Sequence, residues 1–486
     1  MNPESLASLG NPRQTVKKQL DYYNPVGYST GMKSKHVKRK TRYEFKFGET
    51  GKCTAHGGQV LIDTVARRYG LWEKLARIPG IDCRKRKASG YSPEAVAAQI
   101  IFTLTSGGAS LADCERLGED PVLLESLGLD AVADQTTLGE WLRSQDKESI
   151  RLLWKLNSDF AKAVMADAKP SRVRCGGKME IFFDDTEIEV YGKKIEGARI
   201  NYNGDLALSF QTLWAGPLLV DGLLGDFGDV AGCQRELLAE HCALWEQTPS
   251  HFFADSGSSA GRELMDVREG GFTTWSVSYN KWTGPLERFA AALPETAWGE
   301  SLQRTAGWEE SYAWVMHTPE GMDRAQTFAT ARWKKDGEMF WRYAFTACEN
   351  DAKRTPGQVF AMHRTKGERE QLFSQVLADL DLHHPPCLSL KANQAFYALA
   401  AIAYNLLTAL KMLELPDDAQ TWRARTIIRN LLTIPAMQVL HANRRTLKLC
   451  IPAGWLAWWR LFLGKFVPKR KRGETTEETY SSEPDA

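Results

Sequence analysis

The order of the predicted secondary-structure elements predicts an α/β protein that carries a β-strand insertion and two helical flanks. Residues 61–165 place apolar side chains at helical intervals. At Lys178 the period shortens toward two, and predicted strands then alternate with helices. A strand-rich stretch at 308–347 precedes helical patterns that run, with breaks, from Gln358 to about Phe466. This succession is typical of an α/β core with an inserted β region between helical segments.

Two helix starts are marked in the amino-terminal part of the chain. Ser92-Pro93-Glu94 places a capping serine before a proline at the first helical position and an acid in the first turn. This pattern predicts a helix over Pro93–Thr105. Thr137-Leu138-Gly139-Glu140 fits a capping box, which predicts another helix with Leu138, Trp141 and Leu142 on its apolar face.

The middle of the chain is predicted to supply the sheet. The segment KMEIFFDDTEIEVYG, which begins at Lys178, has the β-branched and aromatic residues of a strand pair, with the first strand at Met179–Phe183. The further predicted strands are Asp205–Trp214, Leu218–Val220, His251–Ala254, Thr273–Tyr279, Ser311–His317, Gln326–Lys334 and Met339–Cys348, and the helices between them are Val230–Trp245 and Gly261–Glu269.

The net charge of +2 conceals an uneven distribution. Residues 1–48 have a net charge of +7, residues 49–418 of −12, residues 419–472 of +12 and residues 473–486 of −5. Two basic flanks around an acidic middle are typical of a protein that binds a polyanion. The alternative is a solvated arm and a Lys- and Arg-rich helical face without a partner. The candidate phosphate contacts are Lys38, Arg39 and Lys40 in the arm, and Arg423, Arg425, Arg429, Arg444 and Arg445 near the carboxy terminus.

Several classes of protein are disfavoured by the composition. The nine cysteines form no CxxC pair and show neither a disulfide framework nor zinc-ligand spacing, which predicts thiols in a reducing cytosol. The first residues, MNPESLASLG, lack the pattern of a signal peptide. Polar residues interrupt the apolar stretch Gln394–Leu413, which predicts a buried core helix over a membrane span. The Trp-rich stretch Gly454–Val467 has helical spacing, which favours core packing over a membrane surface.

The main candidates for chemistry are aspartates at predicted strand ends. Asp184 and Asp185 follow the strand Met179–Phe183, and Asp255 follows His251–Ala254, 71 residues after Asp184. Carboxylates at the ends of neighbouring strands can converge and repel one another, and a divalent cation removes that repulsion. Oxygen ligands without a His or Cys cluster favour Mg²⁺ or Mn²⁺. The alternative for Asp255 is a cap for the helix at 261.

A third acid is expected on the predicted helix at 361–380. His363, Lys366 and Glu370 lie on one face of that helix, at positions i, i+3 and i+7, whereas Glu368 points elsewhere. The alternative is a solvated face with no ligand.

A competing motif for acyl-transfer chemistry is also present. Gly257-Ser258-Ser259-Ala260-Gly261 matches the GxSxG nucleophile elbow, and His363 and His383 follow it. The sequence contains no HGGG-type oxyanion loop, and the small residues fit a turn into a helix equally well. We therefore favour the carboxylate site.

Five segments, in order along roughly residues 50–465, resemble one family. They are GGQVLIDTVARRYGLWEKL with LADCERLGEDPVLLESLG, DQTTLGEWLR, FFDDTEIEVYG with EGARINYNGDLAL, FADSGSS, and AIAYNLLTALK with the basic helices predicted after it. The chain resembles the cut-and-paste transposases of bacterial insertion sequences, in the branch catalogued as IS-thirteen-eighty, akin to the IS-four group. The resemblance implies an RNase H-like mixed-sheet catalytic core with a β-strand insertion, an all-helical amino-terminal domain and a helical basic carboxy-terminal region.

The resemblance also implies a DDE triad that holds two Mg²⁺ (or Mn²⁺) ions. Its first acid precedes x-Thr, which matches Asp184, and its second precedes Ser-Gly, which matches Asp255. The third acid lies in a Tyr-x-x-Arg-x-x-x-Glu signature and matches Glu370, with Lys366 at the Arg position. The implied partners are double-stranded DNA, both the terminal inverted repeats and the target, and a second copy of the chain. The implied location is the cytoplasm, at the nucleoid.

The chain departs from this signature at three positions. His363 stands in the place of Tyr, Lys366 in the place of Arg, and Leu377 in the place of a Lys seven residues after the Glu. A lysine keeps the charge but loses bidentate phosphate contact, and a leucine contacts no phosphate. These departures motivate the alternative of a transposase-derived DNA-binding protein with impaired catalysis.

The expected domain layout follows from the charge pattern and the resemblance together. The predicted boundaries are a flexible basic arm at 1–48, a helical DNA-binding domain at 49–170, the catalytic core at 171–271 and 351–418, the β-strand insertion at 272–350, the basic helical region at 419–472 and an acidic disordered tail at 473–486.

Overall fold

The computed structural model describes residues 52–192, 194–201, 203–225, 230–246, 248–280, 283–300, 307–319, 321–349, 353–441 and 444–463. For residues 230–232, 300, 368–370 and 444 it describes the backbone alone. The predicted arm and acidic tail lie outside the described residues. The domain layout as a whole stays a prediction.

The amino-terminal part is helical, as the apolar period predicted. After the short strand β1 (Cys53–Thr54), its helices are α1 (Gln59–Arg68), α2 (Leu71–Ala76), α3 (Pro93–Thr105), α4 (Leu111–Arg116), α5 (Pro121–Leu127), α6 (Gln135–Ser144), α7 (Lys147–Asp167) and α8 (Pro170–Val173).

The start of α3 is confirmed, and the start of α6 is corrected. The Ser92 hydroxyl accepts a hydrogen bond from the amide of Ala95 at 3.4 Å. Helix α6 begins at Gln135 rather than after Thr137, because the Asp134 carboxylate accepts the amides of Thr136 and Thr137, each at 2.9 Å. A carboxylate just before the first turn accepts hydrogen bonds from the free helix amides, and the positive end of the helix dipole stabilises its negative charge.

The next part of the chain builds the centre of a mixed sheet. Its elements are β2 (Arg174–Cys175), β3 (Lys178–Glu189), β4 (Arg199–Ile200), β5 (Leu206–Ala215), β6 (Leu218–Gly225), α9 (Val230–His241), β7 (Ser250–Ala254), α10 (Gly261–Glu269) and β8 (Thr274–Tyr279). The central strand is β3. On one side β5 and then β6 pair antiparallel, and on the other β7 and then β8 pair parallel. This order is compatible with an RNase H-like core.

The segment beginning at Lys178 was predicted as a strand pair, and this prediction is wrong. It forms one strand, β3, which continues through Asp184 and Asp185 to Glu189. The second half stays extended because it pairs with β5 as far as Glu189 opposite Ala207.

The strand-rich stretch extends the same sheet outward from β8. Its elements are α11 (Thr283–Ala291), β9 (Gly299–Glu300), β10 (Trp308–His317), β11 (Gln326–Lys335) and β12 (Arg342–Cys348). The strand order from the core outward is β8, β12, β11, β10, β9, and these neighbours pair antiparallel. The predicted insertion is therefore continuous with the core sheet.

The carboxy-terminal part contains helices and a hairpin. Its elements are α12 (Pro356–Arg364), α13 (Lys366–Ser374), α14 (Leu390–Glu414), α15 (Ala424–Ile427), β13 (Ala436–His441), β14 (Arg444–Leu449) and α16 (Leu456–Leu463). A π-helical turn, Gln375–Asp379, follows α13, and another, Ile428–Leu432, follows α15.

The prediction of a helical region over 419–472 is wrong where β13 and β14 lie. The two strands pair antiparallel, and β13 also pairs with β1 near the beginning of the described chain. Pro435 and Pro452 bracket the hairpin, and a proline inside a helix would remove a hydrogen bond and clash with the preceding turn.

Helix α14 is the buried core helix that its interrupted apolar pattern predicted. It is long and apolar enough to cross a membrane, yet 94% of its most apolar window is buried inside the protein. The polar residue Asn405 is satisfied there. Its side chain accepts the amide of Leu219 at 3.1 Å and donates to Asn157 of α7 at 2.8 Å. The helix thus connects the helical part to the sheet that carries the candidate site.

Candidate active site

The structure brings Asp184 and Asp255 next to each other at the centre of the sheet. Strands β3 and β7 run parallel, with Phe183 opposite Ala254. Asp184 follows Phe183 and Asp255 follows Ala254, so the two aspartates lie side by side. Their proximity was predicted from strand ends. Asp255 does follow its strand, whereas Asp184 lies within β3.

Asp184 and its neighbour Asp185 face opposite sides of the sheet, because successive residues of a strand alternate. Asp184 lies on the same face of the strand as Phe182. The ring of Phe182 packs against that of Phe373 on α13, with 5.8 Å between the ring centroids. Asp185 accepts a hydrogen bond from the hydroxyl of Ser209 on β5 at 2.5 Å. Asp184 is therefore the member of the pair directed toward α13.

The electrostatics of Asp184 reflect its buried position. Burial raises the pKa of the Asp184 carboxyl to about 7; the nearby Lys366 ammonium opposes this rise, and the Asp255 carboxylate adds to it. The Asp184 Oδ1 atom accepts the amide of Asp185 at 3.0 Å. A carboxylate pair of this kind is stabilised by a cation, since each charge disfavours the other.

Lys366 supplies a positive charge at this position. Its ammonium forms an ion pair with Asp255 Oδ1, and its side chain is 7% exposed, whereas the Asp255 side chain is 53% exposed. Lys366 is the first residue of α13, after a break at Thr365. The predicted continuous helix over 361–380 is thus two helices and a π-helical turn.

His363, at the end of α12, is buried beneath the pair. Its Nδ1 lies 2.9 Å from the Ser276 hydroxyl and its Nε2 lies 2.8 Å from the Ser278 hydroxyl, both on β8. Burial and, to a smaller extent, the Lys366 charge lower the pKa of His363 to about 4, and the Asp255 carboxylate opposes this decrease. His363 is therefore a neutral, doubly hydrogen-bonded group at neutral pH.

The third predicted acid, Glu370, lies on α13, four residues after Lys366. The structure describes its backbone and that of Glu368, so the place of the carboxylate stays a prediction. Residues four apart lie on the same face of a helix, and Lys366 of that face contacts Asp255. Leu377, in the π-helical turn, is 5% exposed and belongs to the core.

The described residues near Asp184 fit a hard divalent cation. The donors brought together are carboxylate oxygens, the ligands that Mg²⁺ and Mn²⁺ prefer. One other group with metal-ligand atoms occurs among the described residues, namely Asp221, Glu240 and His241. There the His241 ring nitrogens are already engaged, by Asp221 Oδ2 at 2.6 Å and by Ser158 Oγ at 3.3 Å.

A cavity of about 860 Å³ opens beside Asp255. Strands β10, β11 and β12 supply its aromatic side chains, among them Trp308, Trp333 and Tyr343, and α12 supplies His363. The amino-acid sequence alone did not single out Trp308, Trp333 and Tyr343. The signal available was the aromatic content of the strand-rich stretch, but its position next to Asp255 depends on the order of strands in the sheet.

The predicted DNA-contact residues that the structure describes do not form a single surface. Arg423 binds Asp379 at 3.1 Å and Ser374 at 3.0 Å, next to the end of α13, and Arg425 and Arg429 are exposed beside it. Arg445 lies on strand β14 and forms an ion pair with Glu125 of α5. The side chain of Arg444 and the residues Lys38, Arg39 and Lys40 lie outside the description.

The GxSxG motif is a turn into a helix. Ser259, its central serine, is fully buried, and its hydroxyl donates to the carbonyl of Ser256 at 2.6 Å. A nucleophilic serine must be open to substrate, so the structure excludes the acyl-transfer alternative at this motif.

Comparison with known proteins identifies one family. The family model described as "Transposase DDE domain group 1" matches residues 35–460. A search of curated proteins finds no match for the chain. The matched range contains all the described residues around Asp184, Asp255 and Lys366.

Proposed function

Because the chain belongs to the family of transposases with a DDE domain of group 1, we propose that it is a DNA transposase that binds transposon ends and cuts and joins DNA. The observation that carries this proposal is the pair of carboxylates, Asp184 and Asp255, placed side by side by parallel strands β3 and β7. Members of such a family generally use divalent metal ions.

Asp184, Asp255 and Glu370 would hold two Mg²⁺ (or Mn²⁺) ions. When bound, such ions stabilise the attacking and leaving oxygens of an in-line displacement at phosphorus. The same carboxylates would serve both the cut that frees a 3′-OH at the transposon end and the joining of that 3′-OH to target DNA. Asp184 is partly buried, on the face of β3 where Phe182 packs against Phe373 of α13.

DNA phosphates would be bound by cations around this site. Lys366 is the nearest. The exposed Arg425 contacts the π-helical turn that follows α13, and Arg429 is exposed four residues further along the chain. The arm residues Lys38, Arg39 and Lys40 and the hairpin residues Arg444 and Arg445 would contribute further contacts. Arg423 also has a structural role, because it forms an ion pair with the buried Asp379.

The aromatic cavity beside Asp255 would accept an unpaired base near the cut end. Trp308, Trp333 and Tyr343 line a space of about 860 Å³, and stacking of a base on aromatic rings tolerates any base. The paired ends of a transposon imply a homodimer in the DNA complex. We place the protein in the IS-thirteen-eighty branch and in the cytoplasm, at the nucleoid.

The second candidate function is DNA binding without cleavage. The departures at His363, Lys366 and Leu377 favour it, and in the structure Lys366 contacts a proposed metal ligand. The two candidates differ in one property, which is metal-dependent cleavage of the cognate end.

The decisive assay uses DNA that carries the inverted repeats flanking the gene. We expect Mg²⁺- or Mn²⁺-dependent cleavage by the full-length protein, lost in Asp184→Ala, Asp255→Ala and Glu370→Ala, with DNA binding largely retained. Cleavage that survives one of these substitutions removes that residue from the triad. Binding without any cleavage by the wild type supports the second candidate.

A further inference from the structure

Lys366 occupies the position that a cation must take at the carboxylate pair. Its ammonium contacts Asp255, and Asp184 faces the helix that Lys366 begins. The Lys366 side chain is 7% exposed, so its ammonium is largely shielded from solvent where it contacts Asp255. The site is therefore already partly neutralised by a group of the protein itself.

The carboxylate that Lys366 contacts is open to the cavity. The Asp255 side chain is 53% exposed and lines the cavity, together with His363 of α12. A phosphate of DNA bound at the cavity would therefore lie next to Asp255, and the Lys366 ammonium lies directly behind that carboxylate in the ion pair. Neighbouring Arg364 is held by Glu310 at 2.6 Å, whereas Lys366 contacts Asp255.

We propose that Lys366 is an exchangeable cation, which fills the carboxylate site in the DNA-free protein and moves to a DNA phosphate when an end binds. Metal loading then depends on DNA, because the carboxylates are released only when the ammonium has another anion. The inference rests on the proposed function and assigns Lys366 the coupling between the binding of DNA and the binding of the metal cofactor.

The chemistry of lysine suits this exchange. An ammonium is a compact charge on a flexible stem, whereas a guanidinium binds a carboxylate through two parallel hydrogen bonds. Arginine at this position would hold Asp255 more firmly. Lysine stabilises the metal-free site, and its flexible four-carbon stem, at the first position of α13, allows the ammonium to change partners.

The test is Mn²⁺ binding, measured by electron paramagnetic resonance of the full-length protein with and without a duplex carrying the terminal repeat. In the wild type we expect DNA to tighten Mn²⁺ binding by about tenfold or more, a usual size for coupling between two sites. Lys366→Met should bind Mn²⁺ that tightly without DNA, and DNA should then add little. Lys366→Arg should bind Mn²⁺ no better than the wild type in the absence of DNA.

Two controls separate the possible failures. Circular dichroism melts establish that each variant is folded, and Lys366→Gln replaces Lys366→Met if the latter is not. The double variant Asp184→Asn/Asp255→Asn shows that the bound Mn²⁺ is at this site. Equal Mn²⁺ affinity of DNA-free wild type and Lys366→Met overturns the inference while leaving the proposed function intact. Mn²⁺ binding unaffected by the double variant overturns both.

Discussion

Two carboxylate clusters among the described residues differ in how their charge is balanced. At the first, Asp184 and Asp255 are neighbours, and the balancing charge is Lys366. At the second, Asp221 on β6 contacts His241 at 2.6 Å and accepts the amide of Gly222 at 2.7 Å.

The difference indicates which cluster is built for chemistry. The Asp221 cluster is a hydrogen-bonded network that ends at the hydroxyl of Ser158, inside α7, and resembles an ordinary structural contact. The Asp184–Asp255 pair joins two like charges and opens onto a cavity. Groups held in an unfavourable electrostatic environment are common at functional sites, where stability is exchanged for activity.

The largest expected contrast is in cleavage. Asp184→Asn should lower metal-dependent cleavage of the cognate end by roughly a thousandfold or more, as expected for a group that acts as part of a catalytic unit. Asp221→Asn should leave the cleavage rate per folded molecule close to that of the wild type. Equal losses in the two variants, measured at equal folded fraction, would remove the distinction between the clusters.

The second contrast is in stability, and it has a pH dependence. The pKa of Asp184 is raised above its unfolded value, so its charged form opposes folding. This opposition is absent below the unfolded pKa, grows as pH rises toward about 7, and is constant above. Asp184→Asn should therefore stabilise the metal-free protein, by up to about 4 kcal/mol at pH 8 and by about 2 kcal/mol less at pH 5. Urea unfolding in the presence of a chelator measures this difference, and a destabilised variant at pH 8 would contradict it.

Asp221→Asn should have the opposite effect on stability and lower the free energy of unfolding. It removes the carboxylate charge from the contact with the buried His241 and exchanges one acceptor oxygen for an amide donor, which we expect to cost about 1.5–3 kcal/mol, the usual contribution of a hydrogen bond to a charged group. Urea unfolding at pH 8, alongside Asp184→Asn, provides the comparison. If both variants were stabilised, the Asp221 cluster would not be the structural contact described above.

The cavity is lined by Asp255 of the first cluster and not by Asp221 of the second. A substitution in the cavity should therefore affect DNA binding, by less than the changes in cleavage and stability above. Trp308→Ala should weaken binding of a duplex with unpaired bases at its end by about 1–3 kcal/mol, the usual contribution of one stacked base. Binding of a fully paired duplex should change little. Tyr191→Ala is the matched control, because Tyr191 is 85% exposed and lies away from the cavity lining. Equal losses for the two variants in fluorescence anisotropy would argue against stacking at Trp308.

The smallest expected effect is at the basic surface beside α13. Arg425→Gln/Arg429→Gln should weaken DNA binding about tenfold and reduce the slope of log affinity against log salt by about 2, one counterion for each lost phosphate contact. The control is Arg262→Gln/Arg268→Gln, which removes two exposed cations of α10. An unchanged salt slope in the first variant would show that these arginines do not contact phosphate.

The sequence was most informative where structure is set locally. Helices α3 and α10 begin and end where they were predicted, because serine, proline and glycine act on the turn in which they stand. It was least informative where structure depends on a distant partner. Strand β3 continues past Asp184 because β5 pairs with it, and the hairpin β13–β14 pairs with β1.

The candidate site follows the same division. The adjacency of Asp184 and Asp255 was predictable, since each follows a short apolar strand segment and parallel strands place such residues at one edge. The contact of Lys366 with Asp255 was not, because spacing along a helix does not identify what faces it. The aromatic cavity likewise depends on β10–β12 joining the core sheet beyond β8.

The most direct measurement is the anomalous diffraction of Mn²⁺ in crystals of the protein bound to its terminal-repeat DNA. We predict peaks within about 2.1 Å of carboxylate oxygens of Asp184 and Asp255, the distance at which such oxygens bind a small divalent cation. A crystal with DNA bound but no peak at this pair, or with its only peak at Asp221, Glu240 and His241, would contradict the account.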